Sequence, residues 1–175
     1  MRWRADKLNA FVIRLYQRLK TVGRQFLVSN APIVFPFSYV NYTQEYPAWL
    51  RAGALDLVNP QIYRRTAADY EAELNRQLAV IPTREGFAPG IDITNSNPDE
   101  LVRMIEVTRA KGLAGAVIWY FKGLQQAGGL ERLKQTVYAL PARMPWVIKT
   151  TGPKPDRAPR KRGDQPNVVM RRIAR

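Results

Sequence analysis

Four short apolar runs recur along the chain, and between them the apolar residues shift to a spacing of three and four. The runs are Phe26 to Val28, Leu55 to Val58, Phe87 to Thr94 and Gly115 to Phe121. An unbroken apolar run suits a buried strand, whereas intervals of three and four make one face of a helix. The order is a helix first, then strand and helix repeated four times. Strands alternating with amphipathic helices argue for an α/β fold with parallel β/α units. A closed (β/α)8 barrel needs eight such units and typically about 250 residues, against 175 residues and four units here. Two architectures fit: an open four-stranded sheet, or four units of a barrel. In the second, each side of the sheet has a bare edge that another chain would have to cover.

Local signals place the helices. The first carries Leu8, Phe11, Val12, Leu15 and Leu19 on one face, with Asp6 as its cap and Gly23 at its end. Ile33 to Asn41 is rich in aromatics, follows Pro32 and holds Pro36, which argues for a long loop forming a ligand wall or packing its own rings. Thr43 is expected to cap a helix that turns Tyr46, Trp49 and Leu50 inward, with Pro47 in its first turn. Thr66 opens a helix with Tyr70, Leu74, Gln77 and Leu78 on related turns. Asn97-Pro98-Asp99-Glu100 combines a capping Asn, a first-turn Pro and a Glu placed to complete a capping box. Leu101, Met104, Ile105 and Thr108 then share a face, Gly112 ends that helix, and Gly128-Gly129 precedes a last one over Leu130 to Val137. Beyond Pro141 no period continues. The chain therefore divides into a domain over 1–140 and a basic segment over 141–175, expected to be disordered.

Composition removes whole classes of chemistry. With neither Cys nor His, disulfides, thiolate or imidazole metal sites, cysteine nucleophiles and a histidine base are excluded. No cofactor is expected: the glycines from Gly123 to Gly129 have the wrong spacing for a dinucleotide loop, and Gly86 to Gly90 lacks a following Lys-Ser/Thr. No apolar run reaches membrane-spanning length, and no secretory signal follows the basic Met1 to Arg4. The net charge of +14 suggests an anionic partner, yet the eight basic and two acidic residues after Thr150 contribute 8 − 2 = +6 of it without helical or strand period. Such a segment reads as a solvated extension, not a specific nucleic-acid reader.

Parallel sheets meet their ligands at the carboxyl ends of the strands. Leu55 to Arg64 is apolar until Pro60 and then offers an amide, a phenol and a guanidinium. Gln61, Tyr63 and Arg64 are therefore candidate site residues, each with a plain alternative in packing or solvation. Trp119 and Tyr120 close the fourth run, and strand alternation sends them to opposite faces, with Trp119 preferred toward a ligand. Aromatic faces such as those of Tyr39, Tyr63 and Trp119, beside amides such as those of Asn30 and Gln61, suit sugar C–H surfaces and hydroxyls. Among the acids, Asp92 stands at the end of the third run and is a catalytic candidate, with a backbone-capping role as the alternative. Asp56 lies at the entry end of its strand, Glu45 in a first helical turn, and Asp99 and Glu100 in caps; Glu71, Glu73, Glu106 and Glu131 read as solvated helix faces.

Four patterns in order carry a family resemblance: Trp3-Arg4 with Asn9-Ala10-Phe11-Val12; Ser29-Asn30-Ala31-Pro32; Tyr46-Pro47-Ala48-Trp49-Leu50-Arg51-Ala52-Gly53; and Asp56-Leu57-Val58-Asn59-Pro60-Gln61-Ile62-Tyr63. From about Trp3 to Leu124 the chain resembles glycosyl-hydrolase-like family 10, a group of envelope lipoproteins and cyanobacterial proteins. The resemblance implies the C-terminal half of a TIM (β/α)8 barrel, with Asn30, Gln61, Tyr63, Asp92 and Trp119 near the carboxyl rim. It implies a glycosidase-like protein acting on or binding a polysaccharide or cell-wall glycan, located in the envelope or secreted. The family's acidic strand-end motif of the Asp-Tyr-Ile-Arg-Tyr-Pro kind is not in this sequence, so the chain resembles a truncated or split member. Hydrolysis would then require the other barrel half, from a second chain or from the uncut gene; a non-catalytic carbohydrate-binding or scaffold role is the alternative.

Overall fold

The computed structural model describes residues 1–142, so the basic segment expected to be disordered lies almost wholly outside the described residues. Helix α1, Arg2–Val22, leads into strand β1, Ser29–Asn30. Helices α2, Phe37–Tyr42, and α3, Tyr46–Arg51, precede strand β2, Leu57–Val58. Helix α4, Ala67–Leu78, is followed by strand β3, Gly90–Asp92, a 3-10 turn over Ile93–Asn95, and helix α5, Pro98–Ala110. Strand β4, Val117–Trp119, and helices α6, Phe121–Gln126, and α7, Gly129–Gln135, complete the described chain. The alternation of strand and helix is as expected, giving an α/β fold with short parallel strands.

β1 pairs in parallel with β2, with Asn30 opposite Val58, and β3 with β4, with Asp92 opposite Trp119. Single parallel bridges from Val58 to Phe87 and from Gln61 to Gly90 join the two pairs. Backbone bonds continue the pattern there, with Ala88 N donating to Val58 O at 3.0 Å and Ile62 N to Gly90 O at 3.0 Å. Side chains alternate across this sheet. Val58, Ile62 and Ile91 turn to the helix side and are fully buried, whereas Val117 and Trp119 stand exposed on the other face.

The core lies between the strands and α3, α4 and α5, where Tyr46, Trp49, Tyr70, Leu74, Leu101 and Met104 are buried. Full burial of such side chains contributes about 1.5–3 kcal/mol each. Tyr70 needs a partner for its buried hydroxyl. Thr108 Oγ1 donates to Met104 O at 2.8 Å, so Tyr70 donates to Thr108 Oγ1 at 2.7 Å and ties α4 to α5.

Several local expectations need correction. α1 starts at Arg2, so Asp6 is internal and pairs with Arg2 at 2.7 Å instead of capping. Its packed face runs through Ala5, Leu8, Val12 and Tyr16, which leaves Phe11 52% exposed. Part of the aromatic segment is helical: its proline, Pro36, precedes α2, where a missing N–H costs nothing. Thr43 ends α2 in a left-handed conformation, and Glu45 takes the position before α3. The fourth strand stops at Trp119, and the chain turns at once into α6. Asn97 does cap α5, accepting from Glu100 N at 2.9 Å. The Glu100 carboxylate, however, accepts from Ala67 N at 2.6 Å and so caps α4 from the neighbouring helix.

Asp56 behaves as its position at the strand entrance suggests. Its carboxylate accepts from Tyr16 at 3.0 Å, Lys20 at 2.7 Å and Val28 N at 2.7 Å, fastening β2 to α1 and to the start of β1. Burial pushes this carboxyl up, but the Lys20 ammonium, the Val28 N–H and the Tyr16 hydroxyl outweigh it and leave it below the usual range. Gly86, with φ +69, passes so close to this strand that a Cβ would stand 2.2 Å from Asp56 O.

Candidate functional site

Asn59, Gln61 and Tyr63 follow β2 at spacing two, so alternation places them on the exposed sheet face. There they meet Ala31, Gly90, Val117 and Trp119 around a cavity of about 310 Å³. The two amides are held alike. Gln61 Nε2 donates to Ala31 O at 2.9 Å, and Asn59 Nδ2 donates to Ala88 O at 2.9 Å. Each bond fixes its amide against a neighbouring strand and leaves the side-chain oxygen as an acceptor with no partner among the described residues. Gly90 lies on the floor, where a Cβ would stand 3.3 Å from Pro60 O and in ordinary contact with the Tyr63 ring. Burial, and then the charge of Asp92, push the Tyr63 phenol up, so the hydroxyl keeps its proton at neutral pH and can donate.

Trp119 is 58% exposed beside this cavity. Its ring centroid lies 5.8 Å from that of Tyr120, and Tyr120 is exposed as well. The Trp119–Tyr120 peptide bond is cis. The expectation that alternation keeps these two rings apart fails, because β4 ends at Trp119 and Tyr120 already stands at the start of α6.

Asp92 is buried. It accepts from Thr94 N at 2.8 Å and Thr94 Oγ1 at 2.7 Å, and its other oxygen accepts from Asn95 Nδ2. It thus caps the turn over Ile93–Asn95, and the cavity lining contains no carboxylate among the described residues.

Asn30 and Tyr39 stand apart from this group. Asn30 is in register with the buried Val58, on the helix side by alternation, and its Oδ1 is buried with no hydrogen-bond partner. Tyr39 lies in α2, with the Arg2 guanidinium 5.6 Å from its ring centroid and the Phe35 ring at 6.3 Å. Arg2 also pairs with Glu45 at 2.5 Å, and its guanidinium, ahead of the Asn9 amide, holds the Glu45 carboxyl below its usual range.

The sequence did not disclose Glu73. Expected on a solvated face, it is 5% exposed and accepts from Arg64 Nη2 at 2.8 Å, Arg76 Nη2 at 2.6 Å and Gln77 Nε2 at 2.6 Å. Burial pushes its carboxyl up, but Arg76, Gln77 and Arg64 together leave it below the usual range. Gln77 in turn bonds the backbone of Phe35 through both amide atoms and accepts from the Tyr46 hydroxyl. A signal existed in the intervals from Tyr70 to Glu73, Leu74 and Gln77, which fall on one helical face.

Among the described residues no cluster of acids could hold a metal ion, and no helix is long and apolar enough to cross a membrane. Comparison with curated proteins finds no match, and neither does comparison with solved structures. The family model for glycosyl hydrolase-like 10 matches residues 1–95, which include α1 to β3, Asn59, Gln61 and Tyr63. That span is more than half of the 175 residues, and the protein belongs to the glycosyl hydrolase-like 10 family.

Proposed function

We propose that the exposed sheet face binds a polysaccharide or cell-wall glycan, as the substrate-holding part of a glycoside-hydrolase-like protein. The observation that carries this reading is the cavity where Asn59, Gln61, Tyr63 and Trp119 meet beyond the strand ends. Two amide oxygens accept from sugar hydroxyls, the Tyr63 phenol donates, and the Trp119 ring covers a sugar C–H face. In this reading the four parallel strands are the C-terminal half of a (β/α)8 barrel and the exposed face is its lumen. A second chain, or further barrel units, covers the bare edges; exposed Trp3, Phe11, Leu15 and Val22 on α1 support this.

Hydrolysis of a glycoside needs two carboxyl groups about 5–10 Å apart across the bond. Among the described residues the cavity offers none, and the nearby Asp92 is committed to its turn. The reading is therefore of binding by this chain, with catalytic carboxylates supplied from outside the described residues.

Titrating the full chain with chitin-type and cell-wall glycan oligomers, by calorimetry, tests it. Binding should weaken about tenfold in Trp119→Ala and in Gln61→Ala, and no reducing ends should be released. Equal affinity of these variants and the parent chain, or no binding of any oligomer, would overturn it.

A further inference from the structure

A second and larger cavity, of about 800 Å³, opens between the Ile33–Phe37 segment and α4. Its walls are mainly apolar, from Ile33, Val34, Phe35, Phe37 and Val80, and its polar members are Gln61, Tyr63, Arg64, Glu73 and Arg76. A concave, largely apolar space of this size with few polar groups is the usual form of a small-molecule site. The wall is built in advance: the backbone of Phe35 is held on both sides by Gln77, at 2.9 Å and 2.8 Å.

The charges in that wall do not cancel. Glu73 is one carboxylate, and both Arg64 and Arg76 bond to its Oε2, leaving a surplus of one positive charge. Arg64 is further committed to Tyr63 O at 2.9 Å. Arg76 donates to Glu73 through Nη2 alone among the described residues, and its side chain is 64% exposed. Four of its five N–H groups thus have no partner among the described residues, in a planar fork that suits a carboxylate.

We infer that this cavity binds an apolar monocarboxylate, its hydrocarbon body against Ile33 to Phe37 and Val80 and its carboxylate on Arg76. Two sources share the carboxylate: a free carboxylic acid, or an acidic ether substituent carried by a sugar. The inference is independent of the glycan reading, because an acid without any sugar satisfies it.

The test is calorimetric titration of the full chain with octanoate, with octanamide as a neutral match, and with a sugar bearing an O-lactyl carboxylate. Octanoate should bind about tenfold more tightly than octanamide, as a charge-assisted bond implies. Arg76→Ala should erase that preference while leaving octanamide binding in place, and the exposed Arg65→Ala should change neither. Ala79→Phe, which fills the cavity from α4, should remove both ligands, with circular dichroism confirming that the variant is folded. If the lactyl sugar displaces octanoate and its binding also falls in Trp119→Ala, the carboxylate is a glycan substituent reaching past Gln61 and Tyr63. If octanoate binds and the sugar does not compete, the ligand is a free acid. Equal affinity for octanoate and octanamide, an unchanged preference in Arg76→Ala, or no binding of octanoate would overturn the inference.

Discussion

Gln77 bonds the backbone of Phe35 twice, accepting from its N–H at 2.9 Å and donating to its carbonyl at 2.8 Å. A side-chain amide here takes the place of a neighbouring strand, and it does so from the last turn of α4, at the end of that helix's buried face. Substituting Gln77→Leu keeps the bulk but leaves the Phe35 N–H and carbonyl, the Tyr46 hydroxyl and one Glu73 oxygen without that partner. The expected loss is about 2–4 kcal/mol in denaturant unfolding. A loss under about 0.5 kcal/mol would mean that water replaces all four bonds.

Acid should unfold the protein through Asp56 and Glu73, both held below the usual carboxylate range. As pH falls, the unfolded chain takes up these protons first, so the stability the two groups contribute is complete above about pH 5 and declines below about pH 4. Asp56→Asn should lower stability at pH 7 by about 1–2 kcal/mol and flatten its decline between pH 5 and pH 3. Unfolding midpoints at several pH values decide this; parallel curves for variant and parent would contradict it.

Glu100 caps a helix that is not its own, through Ala67 N at 2.6 Å. Thr66 already caps the same helix by accepting from Asp69 N at 3.2 Å. Glu100→Ala should therefore cost about 1 kcal/mol, and Thr66→Ala a similar amount. Because the two caps satisfy different N–H groups, the double variant should show nearly additive losses in a thermodynamic cycle.

Gly86 has no tolerated substitute. Its φ of +69 disfavours any side chain, and a Cβ would stand 2.2 Å from Asp56 O, a backbone atom that cannot swing aside. Gly86→Ala should cost more than about 2 kcal/mol. Gly112→Ala, which has φ +68 but open space around it, should cost only about 1 kcal/mol. Comparable losses at the two positions would contradict the close approach.

What could be read from the residues was what is decided locally. The Asn97 cap, the face from Leu101 to Thr108 and the Thr66 start each depend on neighbours within a few residues, and each stands as expected. Position-to-position pairing was out of reach. Glu73 is held by Arg64 from another segment, and Phe11 is exposed because α1 turns Ala5, Leu8, Val12 and Tyr16 toward the core instead. At the candidate site, Gln61, Tyr63 and Trp119 do share one cavity. Asn30 falls on the other side of its strand, one residue out of phase with Ala31, which does line the cavity. Asn59 was legible in principle, since its spacing from Gln61 and Tyr63 is that of one strand face.

Gln61 and Tyr63 line both cavities, so a wall one side chain thick separates them. Any occupant that shifts the amide or the phenol from one side changes what the other side presents. By linkage, whatever factor a ligand in one cavity imposes on affinity in the other is returned in equal measure. The Gln61–Tyr63 wall is thus where any coupling between the two spaces would be carried.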